Sequence, residues 1–327
     1  MSFWDKKKVL VAGGGGFIGS HTVEELLRRA PSARVTVADS LNARRKANLK
    51  AVAGKAALRR TDFLDARDCL RACKGQDVVL NLAAKVAGVG YNTEHPGTMF
   101  RENMQIAMNL MEGARLGGAE RFLVVSSACV YPRDAVAPTG EEQGFSGCPE
   151  PSSEGYGWAK RMSEYLGQAY GREFDLKIAI ARPSNAYGPR DAFDSPHAHV
   201  IASLICRAVN GENPVVVWGD GTRRRTFLYV EDIARGLLDV TERHAQADPV
   251  NLGSDEEVTI ARLVEMIVEL AGSSAKIKFD ASKPMGQDRR YCSTKKAKDK
   301  ARFVAKVTLR EGLARAIAWY RANRKAQ

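Results

Sequence analysis

Lys8-Val9-Leu10-Val11-Ala12-Gly13-Gly14-Gly15-Gly16-Phe17-Ile18-Gly19-Ser20 is the stretch whose reading decides the fold. A β-rich run over 8–12 ends in glycines and passes into a segment over 18–29 whose apolar periodicity reads as a helix. Gly13, Gly16 and Gly19 give G-x-x-G-x-x-G, and Phe17 and Ile18 open the helix. Glycines at this spacing permit a tight turn and let backbone approach a pyrophosphate at the positive helix end. Alone, such a cluster is only a flexible turn. With a strand before it, a helix after it and an acidic residue about 20 positions on, it predicts a dinucleotide site. The acidic residue is Asp39, which follows a second β-rich run over 34–38. A carboxylate there accepts the ribose hydroxyls of NAD and repels the 2′-phosphate of NADP; its plain alternative is a turn or cap. Arg44 and Arg45 follow closely and can still hold a 2′-phosphate. The sequence favours NAD and leaves NADP open.

Outward from this stretch, β-rich and amphipathic segments alternate: a strand over 78–82, a helix over 98–117, and strands over 122–126 and 178–181. Such alternation predicts an α/β chain with a Rossmann-type doubly wound parallel sheet, covered on both faces. After Pro183 the pattern loosens into loops with helices near 200–210, 230–241 and 260–271. The expected division is a dinucleotide-binding domain over 1–183 and a smaller C-terminal α/β substrate-binding lobe over 184–327. The 226–250 segment is a candidate to pack back on the sheet. Neither an internal repeat nor a low-complexity linker interrupts the chain.

The 327 residues are 44% apolar and 27% charged, the composition of a globule rather than a disordered chain. No apolar run reaches the roughly 20 residues of a membrane span. The N-terminal stretch over 1–8 is polar and basic, unlike a secretory leader, so a cytoplasmic location is expected. Cysteines 69, 73, 129, 148, 206 and 292 form no C-x-x-C pair and no metal-ligand spacing, which predicts reduced thiols and no metal. A net charge of +12 suits nucleic acid, an acidic membrane or a phosphate-rich ligand. Much of the excess lies over 295–325 among helix formers and reads as a solvated face, without an RNA-binding signature. Nucleic acid and membrane are therefore set aside; a diphosphate needs only a few of these cations.

The second signature is Tyr156-x-x-x-Lys160, preceded by Ser126-Ser127 at a strand end. Residues four apart share a helix face, so a lysine ammonium beside the phenol is expected to lower the phenol's pKa. Ser127 is placed to hydrogen-bond the same substrate oxygen. Together they would move a proton at a sugar hydroxyl while hydride moves at a nicotinamide. By itself Y-x-x-x-K is common on surface helices; behind a dinucleotide fingerprint and a strand-end Ser-Ser it points to an active centre.

These motifs resemble, nearly end to end, the extended short-chain dehydrogenase/reductases that modify nucleotide sugars, the NAD-dependent sugar-nucleotide epimerase/dehydratase family. The resemblance implies cofactor contacts from Asp62, Phe63, Ala83, Lys85, Asn103 and Pro183, together with Tyr156 and Lys160. It also implies a homodimer whose four-helix contact uses the helices over 98–117 and 154–170. Two branches are closest. Ala83-Ala84-Lys85-Val86, His199-Val200-Ile201, Val216-Val217-Trp218-Gly219 and Phe279-Asp280-Ala281-Ser282-Lys283-Pro284 resemble GDP-L-fucose synthase. Ser126-Ser127-Ala128-Cys129-Val130-Tyr131-Pro132 and Asn251-Leu252-Gly253-Ser254-Asp255-Glu256 resemble GDP-mannose 3,5-epimerase.

Both branches epimerise carbons beside a C4 ketone, which needs a base on one ring face and an acid on the other. Cys129 matches the cysteine both branches use, and a thiol of lowered pKa is a competent base; a small buried residue is its bland alternative. His199 matches the acid of the fucose synthase branch, with His197 as its nearby competitor. The same resemblance puts Asn185, Arg207, Trp218, Arg225, Lys283 and Arg289 around the nucleotide sugar, where guanidinium and ammonium groups suit a diphosphate. Departures exist: fucose synthase uses NADPH and lacks an aspartate like Asp39. The acidic set of 4,6-dehydratases is replaced after the serine strand by Ala-Cys-Val-Tyr. The expected function is NAD-dependent epimerisation of a GDP-hexose at C3 and C5 through a transient 4-keto sugar. The alternatives are a fucose-synthase-like epimerase/reductase consuming NAD(P)H, a UDP-sugar C4 epimerase and a non-catalytic dinucleotide sensor. An intact Ser127/Tyr156/Lys160 set speaks against the sensor.

Overall fold

The computed structural model describes residues 2–195, 198–282 and 289–324. Its first strands are β1 (Lys8–Ala12), β2 (Arg34–Asp39), β3 (Ala56–Arg60), β4 (Val78–Asn81), β5 (Arg121–Val125) and β6 (Lys177–Pro183). The second half adds β7 (Ala186–Tyr187), β8 (Val215–Trp218), β9 (Arg224–Thr226), β10 (Leu228–Tyr229), β11 (Pro249–Leu252), β12 (Glu257–Thr259), β13 (Ile277–Asp280) and β14 (Arg289–Arg290). The helices are α1 (Phe17–Arg29), α2 (Ala43–Asn48), α3 (Ala66–Cys73), α4 (Val89–Glu94), α5 (Pro96–Leu116), α6 (Glu154–Glu173), α7 (Val200–Val209), α8 (Val230–Arg243), α9 (Ile260–Leu270) and α10 (Leu309–Asn323).

Seven strands form one parallel sheet in the order β3-β2-β1-β4-β5-β6-β11. A parallel sheet is covered on both sides, so its strands must be apolar on both faces; β1 satisfies this, with Val9, Leu10, Val11 and Ala12 all buried. Alternation sends Val9 and Val11 into one layer with Val23 and Leu26 of α1 and Ile233 and Leu237 of α8. Leu10 goes into the other layer with Cys69 of α3, Leu110 of α5 and Phe122 of β5. Each such fully buried Val or Leu contributes about 1.5–3 kcal/mol. The strand order reverses between β1 and β4, and a crevice beyond the strand ends at that point is where α/β sheets bind ligands.

Two sheet strands have no counterpart in the pattern read from sequence. β3 is an edge strand with four of five residues exposed, so it carries no apolar run. β11 follows α8 and pairs with β6, so residues 230–252 belong to the sheet layers although they lie beyond Pro183. A second core joins Ile205 of α7, Leu263 and Ile267 of α9, and Leu313 and Ile317 of α10. Around it lie the small pairings β13–β8, β12–β9–β14 and β10–β7. Among the described residues no helix is long and apolar enough to cross a membrane.

Candidate active site

The glycine turn is built to lie against backbone. Gly13 has φ +77°, and a Cβ there would come within 2.7 Å of the Ala83 nitrogen. A Cβ on Gly19 would collide with the Gly13 carbonyl, so α1 packs tightly on the turn. Gly16 starts α1 with no side-chain cap, and Phe17 and Ile18 follow half-buried in its first turn. Asp39, buried at the end of β2, accepts from Gly15 N at 3.0 Å and from Ser40 Oγ at 3.2 Å. The Arg45 guanidinium stands 3.6 Å from its carboxylate. Gly13, Asp39, Arg45, Arg60, Asp62, Phe63, Ala83 and Lys85 line one cleft of about 590 Å³. Asn103 acts on that cleft from behind: its amide bonds Lys85 N and Lys85 O, both at 3.0 Å, and fixes the loop after β4. Pro183 ends β6 opposite Leu252. An uncapped helix N-terminus, a turn that admits no Cβ and a buried acid at the next strand end all fit a dinucleotide. Arg60 was missed in sequence because β3 was missed.

The reactive groups converge where β5 ends. Ser127 caps the 3-10 turn Ala128–Val130, its Oγ accepting from Cys129 N at 3.1 Å. The N-terminal end of α6 presses on this turn, since a Cβ at Gly157 would lie 2.6 Å from the Cys129 carbonyl. Tyr156 and Lys160 are thereby brought beside Cys129, close enough for electrostatic coupling. Lys160 is buried; its Nζ donates to the Val125 carbonyl at 2.7 Å and stands 5.4 Å from the Tyr156 ring centroid. One expectation is corrected here. Burial pushes the Tyr156 phenol above its usual value, with Cys129 adding to the rise. The lysine does not reverse this, since it gives up its own proton before a phenol raised by burial ionises. Burial also pulls Lys160 down to about 8, against the opposing effects of Cys129 and Glu164.

His199 lies apart, at the residue before α7, with about half its side chain exposed. Both oxygens of the buried Asp191 carboxylate lie 3.3 Å from His199 Nδ1 and, by that hydrogen bond, raise the imidazole pKa. The loop carrying Asp191 is held to α1 and α2: Arg44 donates to the Asp191 carbonyl at 3.1 Å, and the His21 ring meets the Pro189 carbonyl at 3.1 Å. No contact among the described residues joins His199 to Cys129.

The expected sugar-nucleotide contacts divide. Trp218 ends β8 with 67% of its surface exposed. Asn185 donates to the Thr226 carbonyl at 2.8 Å and braces β9. Arg225 lies with Arg223 and Arg290; burial, then these two cations, pull its pKa down to about 10. Arg207 is engaged elsewhere, with Glu212 and the Val216 carbonyl. Arg289 likewise makes a two-pronged pair with Glu257 at 2.7 and 2.9 Å. Neighbours on a strand face opposite sides, so it is Arg290 that turns inward and donates to the Ala128 carbonyl at 2.9 Å. The residue singled out from sequence is Arg289, whereas the one that faces the serine turn is Arg290. Lys283 and His197 lie outside the described residues.

Comparison with known proteins agrees with this geometry. A model of the NAD dependent epimerase/dehydratase family matches residues 9–253. A GDP-L-fucose synthase of Sinorhizobium fredii is 31% identical over 327 residues, covering 99% of this chain and 98% of its own. GDP-L-fucose synthase 1 of Arabidopsis thaliana is 34% identical over 249 residues, 75% of this chain and 77% of that one. The UDP-glucose 4-epimerase of Thermotoga maritima, solved with UDP-glucose, superposes with a TM-score of 0.86 at 28% identity, covering 97% of this chain and 99% of that one. The chain belongs to the NAD-dependent epimerase/dehydratase family as an NAD(P)-dependent sugar-nucleotide epimerase/reductase.

Proposed function

We propose that this enzyme epimerises a GDP-linked hexose at C3 or C5 through a transient C4 ketone, using NAD without net consumption. The observation that carries the reading is the Cys129 thiol beside Tyr156 and Lys160, on the turn that Ser127 caps. A C4 epimerase or simple dehydrogenase breaks one C–H bond and needs one proton carrier; a thiol two residues past the serine supplies a second. Bound NAD+ would accept the C4 hydride and later return it. Tyr156 takes the O4 proton while Ser127 holds that oxygen, and Lys160 supplies positive charge below the ring. Cys129 removes the acidified proton next to the ketone. His199, whose pKa Asp191 raises, delivers a proton to the opposite face once the sugar lies between them. Arg225 and Arg290 face the diphosphate, and Trp218 packs on the base. The GDP-L-fucose synthase relatives favour guanine as that base. Incubation with GDP-, UDP- and dTDP-hexoses, with the products identified by NMR, tests it; turnover of UDP-hexoses alone, at C4, would overturn it.

Asp39 carries the choice of NAD, because its buried carboxylate faces the cleft where a 2′-phosphate would sit. Arg45 and Arg60 line the same cleft. Asp39→Ala is therefore expected to raise NADP+ affinity at least about tenfold, a change of about 1.4 kcal/mol, while weakening NAD+. Titration calorimetry of both cofactors checks this, and a parent that prefers NADP+ would favour the reductase.

The helices α5 and α6 leave an apolar face uncovered. Pro96, Phe100, Trp158 and Met162 surround a hollow of about 410 Å³. Phe100 and Met108 of α5 and Tyr165 of α6 are 39%, 46% and 56% exposed. A second copy of the chain would cover it by laying α5 and α6 against their equivalents. Phe100→Asp with Met162→Asp is expected to turn a dimer into a monomer in analytical ultracentrifugation; a monomeric parent would contradict the assignment.

A further inference from the structure

We infer that the buried Glu164–Arg182 ion pair is a positioning device for this reaction centre, holding the serine strand end to the tyrosine helix and giving Lys160 its countercharge. This rests on the reading that Ser127, Tyr156 and Lys160 carry the chemistry. Glu164 is 0% and Arg182 1% exposed. Arg182, on β6, donates from Nε and Nη2 to the two Glu164 oxygens at 2.8 and 2.7 Å. Its Nη1 donates to Tyr131 Oη at 2.9 Å and to the Glu141 carbonyl at 2.8 Å. Tyr131 Oη in turn donates to Asn251 Oδ1 at 2.6 Å, on β11. The Ser126 hydroxyl donates to Glu164 Oε1. Ser126 immediately precedes Ser127, and Glu164 lies one helical turn beyond Lys160, on the same face of α6. One carboxylate thus ties the helix that carries Tyr156 and Lys160 to the end of β5 and to β6.

Stability is a poor reason for such a pair. Two charges taken out of water lose more hydration than they regain unless geometry is excellent, and apolar replacements are often neutral or better. A pair kept dry beside reactive groups has a better rationale in orientation and charge. Around Lys160, the ionisable groups are Tyr156 and Glu164 on its own helix and Cys129 on the serine turn. On α5, Glu102 is taken by Lys85, and Glu112 by Arg115 and Tyr170. At α4, Tyr91 and His95 pack ring on ring. Arg161 turns to the Val130 and Gly147 carbonyls. Arg182 reaches Lys160 only through Glu164. Cys129 and then Glu164 oppose the cost of burying the Lys160 ammonium, and Glu164 is the buried carboxylate of the two.

Two variants separate orientation from charge. Glu164→Gln removes the countercharge, so the Lys160 ammonium should lose its proton about one pH unit lower than in the parent. The alkaline limb of kcat should move down by the same amount, with KM nearly unchanged. Ser126→Ala cuts the link to the serine strand but keeps both charges; kcat should fall several-fold with the limb in place. Titration of Lys160 by NMR of ¹³Cε-labelled lysine, assigned with Lys160→Arg, reads the charge effect without any substrate. Absence of turnover on nucleotide sugars therefore sinks the reaction assignment, whereas an unmoved Lys160 titration in Glu164→Gln sinks this inference. If Glu164→Gln does not fold, Glu164→Met with Arg182→Met removes both charges. A downward shift there supports the inference, and none overturns it.

Discussion

Tyr156→Phe is expected to lower kcat by about 10²–10⁴-fold, the usual worth of a general acid–base group, while NAD+ affinity stays near that of the parent. The substitution deletes one oxygen and little contact area, so binding has small reason to change. The phenol sits where Cys129 and Lys160 both approach it. Its removal leaves Ser127 to hold O4 with no group to take the proton. Stopped-flow measurement of cofactor reduction, together with fluorescence titration of NADH, separates the two effects. A kcat loss below about tenfold would mean that another residue moves the O4 proton.

The second large effect belongs to Cys129 and His199, because they test epimerisation rather than family membership. Cys129→Ser preserves shape and the backbone bond to Ser127 Oγ, but a hydroxyl ionises far less readily than a thiol and so supplies almost no anionic base. Exchange of the sugar C–H with solvent should drop by at least about 10², while hydride transfer at C4 survives. His199→Asn should permit deprotonation and slow inversion, since no acid then waits on the opposite face. The imidazole, raised by Asp191, holds its proton to higher pH than a free imidazole and loses it as pH climbs. Inversion should therefore fall off at a lower pH in Asp191→Asn than in the parent. Variants that exchange and invert like the parent would make both residues structural.

Local pattern made the first half of the fold legible. The glycine turn, the run of apolar β1 and the Y-x-x-x-K helix each announce themselves within a few residues, because tight turns and buried strands restrict residue type. β3 escaped because an edge strand with an exposed face has no need of apolar residues. β11 escaped because its place beside β6 depends on the α8 crossover, which no short window shows. At the site, identity outran orientation. Which of Arg289 and Arg290 faces the serine turn depends on strand phase, and Arg207 is claimed by Glu212, a partner that only the fold of the α7–β8 loop supplies. The phenol's pKa departs from the spacing argument for a similar reason: burial, which spacing does not show, outweighs a lysine one turn away. Glu164 and Arg182 were visible as charges, but only the paired helix and strand bury them against each other.

Redox-neutral epimerisation beside a C4 ketone is the central claim, and one experiment addresses it directly. The enzyme is incubated with GDP-mannose and a trace of NAD+ in D2O, and the recovered sugar nucleotides are analysed by proton and deuterium NMR while absorbance follows NADH. The account predicts deuterium at C3 or C5, new epimers at those carbons, hydrogen retained at C4 and no net NADH. Inversion confined to C4 without deuterium, or stoichiometric use of the cofactor, would contradict it.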